Sequence, residues 1–152
     1  MSSTGREARI DRIVRLRDER LKQAVRVLEE SRAQERKVSL EAAAAVSGRE
    51  QAEAARRNLN ATFGDILDFL EAEEWLRSRE IGEELALRRL NKARRELERA
   101  VAKVSEARIK VRQLEQLKMR LEEAKRKKQA RVERALEDEI GQRVAQSQRG
   151  QR

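Results

Sequence analysis

The chain has 152 residues, 43% of them charged, a formal net charge of +9, and no Pro, Cys or His. Lacking imidazole and thiol, it holds neither the commonest general base nor a zinc-type ligand set, and no catalytic residue, metal site or cofactor is expected. With only three aromatic residues, it is too poor in large apolar side chains to offset the chain entropy of a compact globule. Ala, Glu, Arg, Lys, Leu and Gln dominate, the composition of a coiled coil or long helix.

No Gly-rich phosphate loop is present. The start, Met1 to Arg6, has no apolar core of a signal peptide, and no apolar run approaches the ~20 residues that span a bilayer. A cytoplasmic location is expected.

Thr4-Gly5-Arg6-Glu7 fits a capping box and predicts a helix start. Two heptad positions then form a seam. One reads Ile10, Arg17, Ala24, Ser31, Val38, Ala45, Ala52 and Leu59. The other reads Val14, Leu21, Leu28, Glu35, Ala42, Arg49 and Arg56. Most are aliphatic; Arg17, Ser31, Glu35, Arg49 and Arg56 are misfits that argue for modest stability.

Asn58 to Asp65, with Asn58, Asn60, Thr62 and Gly64, is the only interior cluster of turn formers. Asp65 is placed to cap a short new helix ending near Ser78, with Gly82 a second weak point. A reversal of the chain is expected between residues 60 and 82.

The last part has a cleaner seam. Ala86, Ala93, Ala100, Ala107, Leu114 and Leu121 alternate with Leu90, Leu97, Val104, Val111 and Lys118. Alanine repeated at one position lets two helices approach closely. The fold expected is all-α: a long antiparallel two-helix coiled-coil hairpin with a short helical apex. It is read as one domain, with arms over about 4–60 and 83–148 and an apex over about 61–82. Each arm would be ~90 Å long. A register in which facing residue numbers add to about 142 sets Leu28 against Leu114, Val38 against Val104, Ala45 against Leu97 and Ala52 against Leu90. Ile10 then faces Val132 and Val14 faces Lys128, so the terminal end is expected to fray. One continuous helix in a parallel dimer is the alternative, and it leaves the turn cluster stranded mid-helix.

Two features exceed what a coiled coil needs. Phe63, Phe69 and Trp75 gather near the turn with Ile66, Leu67, Leu70, Leu76 and Ile81. They either pack the apex onto the arms or leave a patch for a partner. The charges are also polarised. Residues 65–84 carry eight acids against two arginines, and residues 117–152 carry eleven bases against six acids, with Lys125-Arg126-Lys127-Lys128 in the middle. This suggests a different partner for each region.

The segment Asp138-Glu139-Ile140-Gly141-Gln142-Arg143 resembles the Asp-Glu-x-Ala-Gln-Arg ending of the type III secretion central stalk family (FliJ/YscO/SctO-like), with Gly141 in place of alanine. The basic, Pro-poor, helical character of the whole chain is similar too, as is the run Ile13 to Arg20 followed by Leu28-Glu29-Glu30. The resemblance implies a non-enzymatic antiparallel hairpin, expected to be monomeric. It would link the hexameric export ATPase to the cytoplasmic ring of the export gate in a flagellar or injectisome apparatus, and some family members handle secretion chaperones. Asp138, Glu139, Gln142 and Arg143 then become candidates for ATPase contact, with Lys125, Arg126, Lys127 and Lys128 supporting them electrostatically. Phe69, Trp75, Leu76 and Arg79 become candidates for the gate contact. Two other readings compete: a generic coiled-coil scaffold, and a basic helical nucleic-acid binder. Against the second, 28 acids are interspersed among 37 bases, and the basic segment has no aromatics for base stacking.

Overall fold

The computed structural model describes residues 3–62 and 64–150. Two helices account for nearly all of them: α1, Ser3–Thr62, and α2, Ile66–Gly150. They pack together as an antiparallel two-helix hairpin, with no strand among the described residues.

The turn is where Asn58 to Asp65 predicts it. At the end of α1 the Gly64 N–H reaches back to the Leu59 carbonyl at 3.5 Å, a span typical of helix C-termini. Thr62 Oγ1 donates to the Asn58 carbonyl at 2.8 Å. Asp65 caps α2 as expected: its Oδ1 accepts from the Ile66 N–H at 2.8 Å, and its carbonyl accepts the first intrahelical bond, from Phe69, at 3.2 Å. A carboxylate at that end also suits the helix dipole.

Two expectations are corrected. No separate apex helix stops near Ser78, because α2 runs unbroken through Gly82. Gly82 lies on an open surface with nothing within 4 Å of where a Cβ would stand. Its cost is only the entropy of glycine in a helix, about 1 kcal/mol, which the neighbouring helix formers absorb. At the other end α1 already includes Ser3, so Thr4 lies inside the first turn. There the Glu7 carboxylate binds Lys125 of α2 at 3.0 Å.

The structure divides into two compact units, one formed by Met1–Asp18 with Arg108–Arg152, the other by Glu19–Ala107. In the second unit the seam is a chain of small clusters. Val38, Ala42, Leu90 and Ala93 form one, with Ala86 against it. Leu28, Ala100 and Val104 form another, flanked by Leu21, Ala24, Val25 and Leu97. Ala52, Ala72 and Leu76 are buried nearer the turn. Nearly every seam position read from the heptads between Ile10 and Leu114 is at least half-buried; Arg56 is the exception.

The register, however, differs. Leu28 packs with Ala100 and Val104, not Leu114, and Val38 with Leu90 and Ala93, not Val104. Cross-seam ion pairs in this unit join residues whose numbers add to about 130, not 142. The expected facing residues on α2 were therefore ten to thirteen positions too far along, about three helical turns. A slip of whole turns returns the same stripe to the same face, so the hydrophobic pattern satisfies both registers. The tight turn at Gly64–Asp65 and the cross-seam charges choose between them.

Two measurements check the seam. Leu28→Ala removes a buried cluster residue and is expected to cost about 2 kcal/mol in urea unfolding, the low end for a core leucine because the seam is thin. Gly82→Ala meets no neighbour and is expected to stabilise the same unit by about 0.5–1 kcal/mol.

Candidate functional site

The turn region carries the first candidate site. Phe69 is half-buried and Leu76 only 5% exposed. Both continue the seam, three residues before and four residues after buried Ala72. Trp75 is 40% exposed. The Arg79 guanidinium lies 6.0 Å from the centre of its ring, a cation–π distance one turn along the helix. Arg79 also leans on Gly48 of α1, where a Cβ would stand 3.2 Å from its Nη1. Glycine there admits the arginine stem.

The apolar residues that the turn does expose are others: Ile66 at 75%, Leu67 at 67% and Leu70 at 60%. They occupy the first two turns of α2 among Asp65, Asp68, Glu71, Glu73 and Glu74. The sequence places them in the apolar group; only the register shows that they face out. Phe63, assigned to the same group, lies outside the described residues.

Charged residues inside the seam are the feature that the heptad reading undervalued. Arg49 binds Glu83 of α2 and, at 3.0 Å, Glu53 of its own helix. Its guanidinium is held above its ordinary value, chiefly by hydrogen bonding to Glu83 and then to Glu53. A base raised in the folded state contributes stability that is fully present below its unfolded value and lost as the pH rises through the raised one, so this contribution does not change around neutral pH. Arg56 meets Glu73 at 2.7 Å, and Arg94 meets Glu35 at 3.7 Å. In the other unit Arg17 Nη1 donates to the Lys110 carbonyl at 2.9 Å, and Lys118 lies 3.6 Å from Asp11. Four of the five supposed misfits thus find partners on the facing helix.

The C-terminal part of α2 carries the second candidate site. All residues from 115 to 150 are exposed, yet the segment is helical to Gly150. Lys125 is paired with Glu7; Arg126, Lys127 and Lys128 follow it around the exposed helix. Further along, Arg143 Nη2 binds Glu139 Oε1 at 3.1 Å, one turn apart. Asp138 and Gln142 stand one turn apart on a neighbouring column of the helix. The structure therefore groups Asp138, Glu139, Gln142 and Arg143 on an exposed helical surface, with the Lys125–Lys128 run two to four turns before it. Among the described residues no group of acids is arranged to hold a metal, and no helix is long and apolar enough to cross a membrane.

The polar pairs lend themselves to a direct test. A double-mutant cycle on Glu35 and Arg94 is expected to give a coupling of about 0.2–1 kcal/mol in urea unfolding, in the range of partly exposed ion pairs. The register expected from the sequence would give no coupling.

No family model, no curated protein and no solved structure matches this chain.

Proposed function

We propose that the chain is a coupling stalk of a type III export apparatus, flagellar or injectisome, linking the hexameric export ATPase to the cytoplasmic ring of the export gate. The observation that carries this reading is the exposed C-terminal stretch of α2, helical beyond its last buried residue, Leu114, and bearing the Asp138–Arg143 segment that resembles the family ending. Beyond about residue 127, past the Glu7–Lys125 pair, no described helix lies beside α2, and a helix so placed presents charge and apolar surface all round, as insertion into a ring requires. The four candidate ATPase residues share that surface, and the basic run from Lys125 to Lys128 adds electrostatic attraction toward an acidic ring lining.

The acid-fringed turn supports a second contact of different chemistry. Ile66, Leu67 and Leu70 form its apolar part, Trp75 and Arg79 flank it further along α2, and the surrounding carboxylates favour a basic partner surface. Phe69 and Leu76 support this contact from beneath, by fixing α2 in the seam. Export chaperones are further candidate partners for the exposed faces. The protein itself would hydrolyse nothing; it would pass a mechanical or orientational signal between two larger bodies.

Truncation after Leu136 tests the reading directly. It removes Asp138, Glu139, Gln142 and Arg143 but leaves every buried residue in place. Binding to the export ATPase, and any stimulation of its turnover, should fall at least tenfold, while the helical signal per residue stays constant. Unchanged ATPase binding by the truncated chain would refute the stalk assignment.

A further inference from the structure

The face of α2 beyond the end of α1 has a pattern that the stalk reading does not use. In the unit formed by Met1–Asp18 and Arg108–Arg152, Glu7 pairs with Lys125 and Asp11 with Lys118. In that register Ser3, the first described residue of α1, lies opposite about residue 127. From there to Gly150, α2 has no helix beside it in the described structure. This stretch still carries four large aliphatics: Val132, Leu136, Ile140 and Val144, each between 52% and 61% exposed. With Gln129 and Arg143 they follow steps of three and four, so they line one side of the helix.

That side is self-complementary when the helix is laid antiparallel on a copy of itself about position 138. Val132 then meets Val144, and Leu136 meets Ile140. Glu133 meets Arg143, opposite in charge, and the two symmetry-related contacts repeat this. Gln129 meets Ser147, polar with polar, closing both ends of the apolar stretch. One like-charged pair opposes the arrangement, Glu137 with Glu139, and it is softened because Glu139 already holds Arg143.

We propose that this protein self-associates as a twofold antiparallel dimer through residues 127–150 of α2, each copy covering the Val132–Val144 face of the other. The contact is isologous, as a closed twofold pair requires, and continues a two-helix seam over roughly 36 Å. It has few large side chains, so the dimer is weak and reversible. The inference does not rest on the stalk reading. If both hold, the ring and the second copy compete for one segment of α2, and self-association is the resting form of a stalk awaiting its ATPase.

Sedimentation velocity over roughly 5–500 µM tests this, since a thin helical seam associates in that range. The mass should rise from 17.7 kDa toward twice that value. The double substitution Leu136→Gln with Ile140→Gln should leave helicity unchanged, because both side chains are exposed, and should weaken association at least tenfold. The chain has no cysteine, so register can be read by disulfide trapping. Val132→Cys mixed with Val144→Cys should cross-link, whereas Val132→Cys alone should not. A constant 17.7 kDa mass across the series, undiminished dimerisation of the Gln variant, or self-cross-linking of Val132→Cys would each overturn the proposal. None of these outcomes bears on whether truncation after Leu136 abolishes ATPase binding, so the two ideas fail separately.

Discussion

Charged residues facing one another across the alanine-rich seam decide how this chain folds back on itself. A stripe of Ala, Leu and Val supplies attraction but little information, because moving one helix by three turns puts equivalent residues on the same face. Charges break that degeneracy. Arg49 against Glu83, Arg56 against Glu73 and Glu35 against Arg94 hold in one register only. Slipped by three turns, Arg49 and Arg56 would both stand over alanines. Each pair is partly solvated and individually modest, but breaking several at once separates the native register from its nearest competitor. A polar residue in an otherwise apolar seam exchanges stability for specificity of alignment, and here the exchange is spread over several turns.

The turn reinforces the same choice. Between Thr62 and Ile66 the chain has almost no slack, and Asp65 commits α2 to start at once. A loop this short leaves the facing numbers little freedom. The 61–82 region then cannot be a separate cap, and Phe69, Ala72 and Leu76 join the seam as its first layers. This leaves Ile66, Leu67 and Leu70 outward. Exposure of these leucines and isoleucine is thus a consequence of turn geometry: whichever residues lie out of phase with Phe69, Ala72 and Leu76 must face water or a partner.

Much of this was legible in the residues and some was not, for separable reasons. Helix content, the reversal point, the Asp65 cap and almost every seam position follow from periodicities of three and four and from the turn formers between Asn58 and Asp65, all short-range signals. Register was not, because the apolar repeat is nearly invariant to a shift of three turns; the clue was present in Arg49, Glu35 and Arg56, read as defects when they were pairing instructions. Gly82 looked like a break because glycine lowers helix propensity, yet one such residue costs too little to end a helix flanked by strong formers. In the candidate sites, the Asp138–Arg143 segment is readable as a short motif, whereas which apolar residues face outward at the turn depends on the register, which the apolar repeat leaves open.

A narrow seam also explains why the candidate sites lie where they do. Buried residues among those described are few, five of the eleven being alanine, so the seam is thin and the hollows along it are open clefts. Recognition must use what pairing leaves uncovered. In one unit that is the acid-fringed start of α2; in the other it is the stretch of α2 that outlasts its partner. The second keeps an aliphatic face, Val132 to Val144, that no described residue covers. Exposed leucine, isoleucine and valine at seam spacing are easily explained if another helix comes to lie against them, whether that helix belongs to a ring or to a second copy. The side chains that make this stretch adhesive are distinct from the charged column of Asp138 and Gln142, so one segment carries two recognition surfaces, and substitutions can separate them.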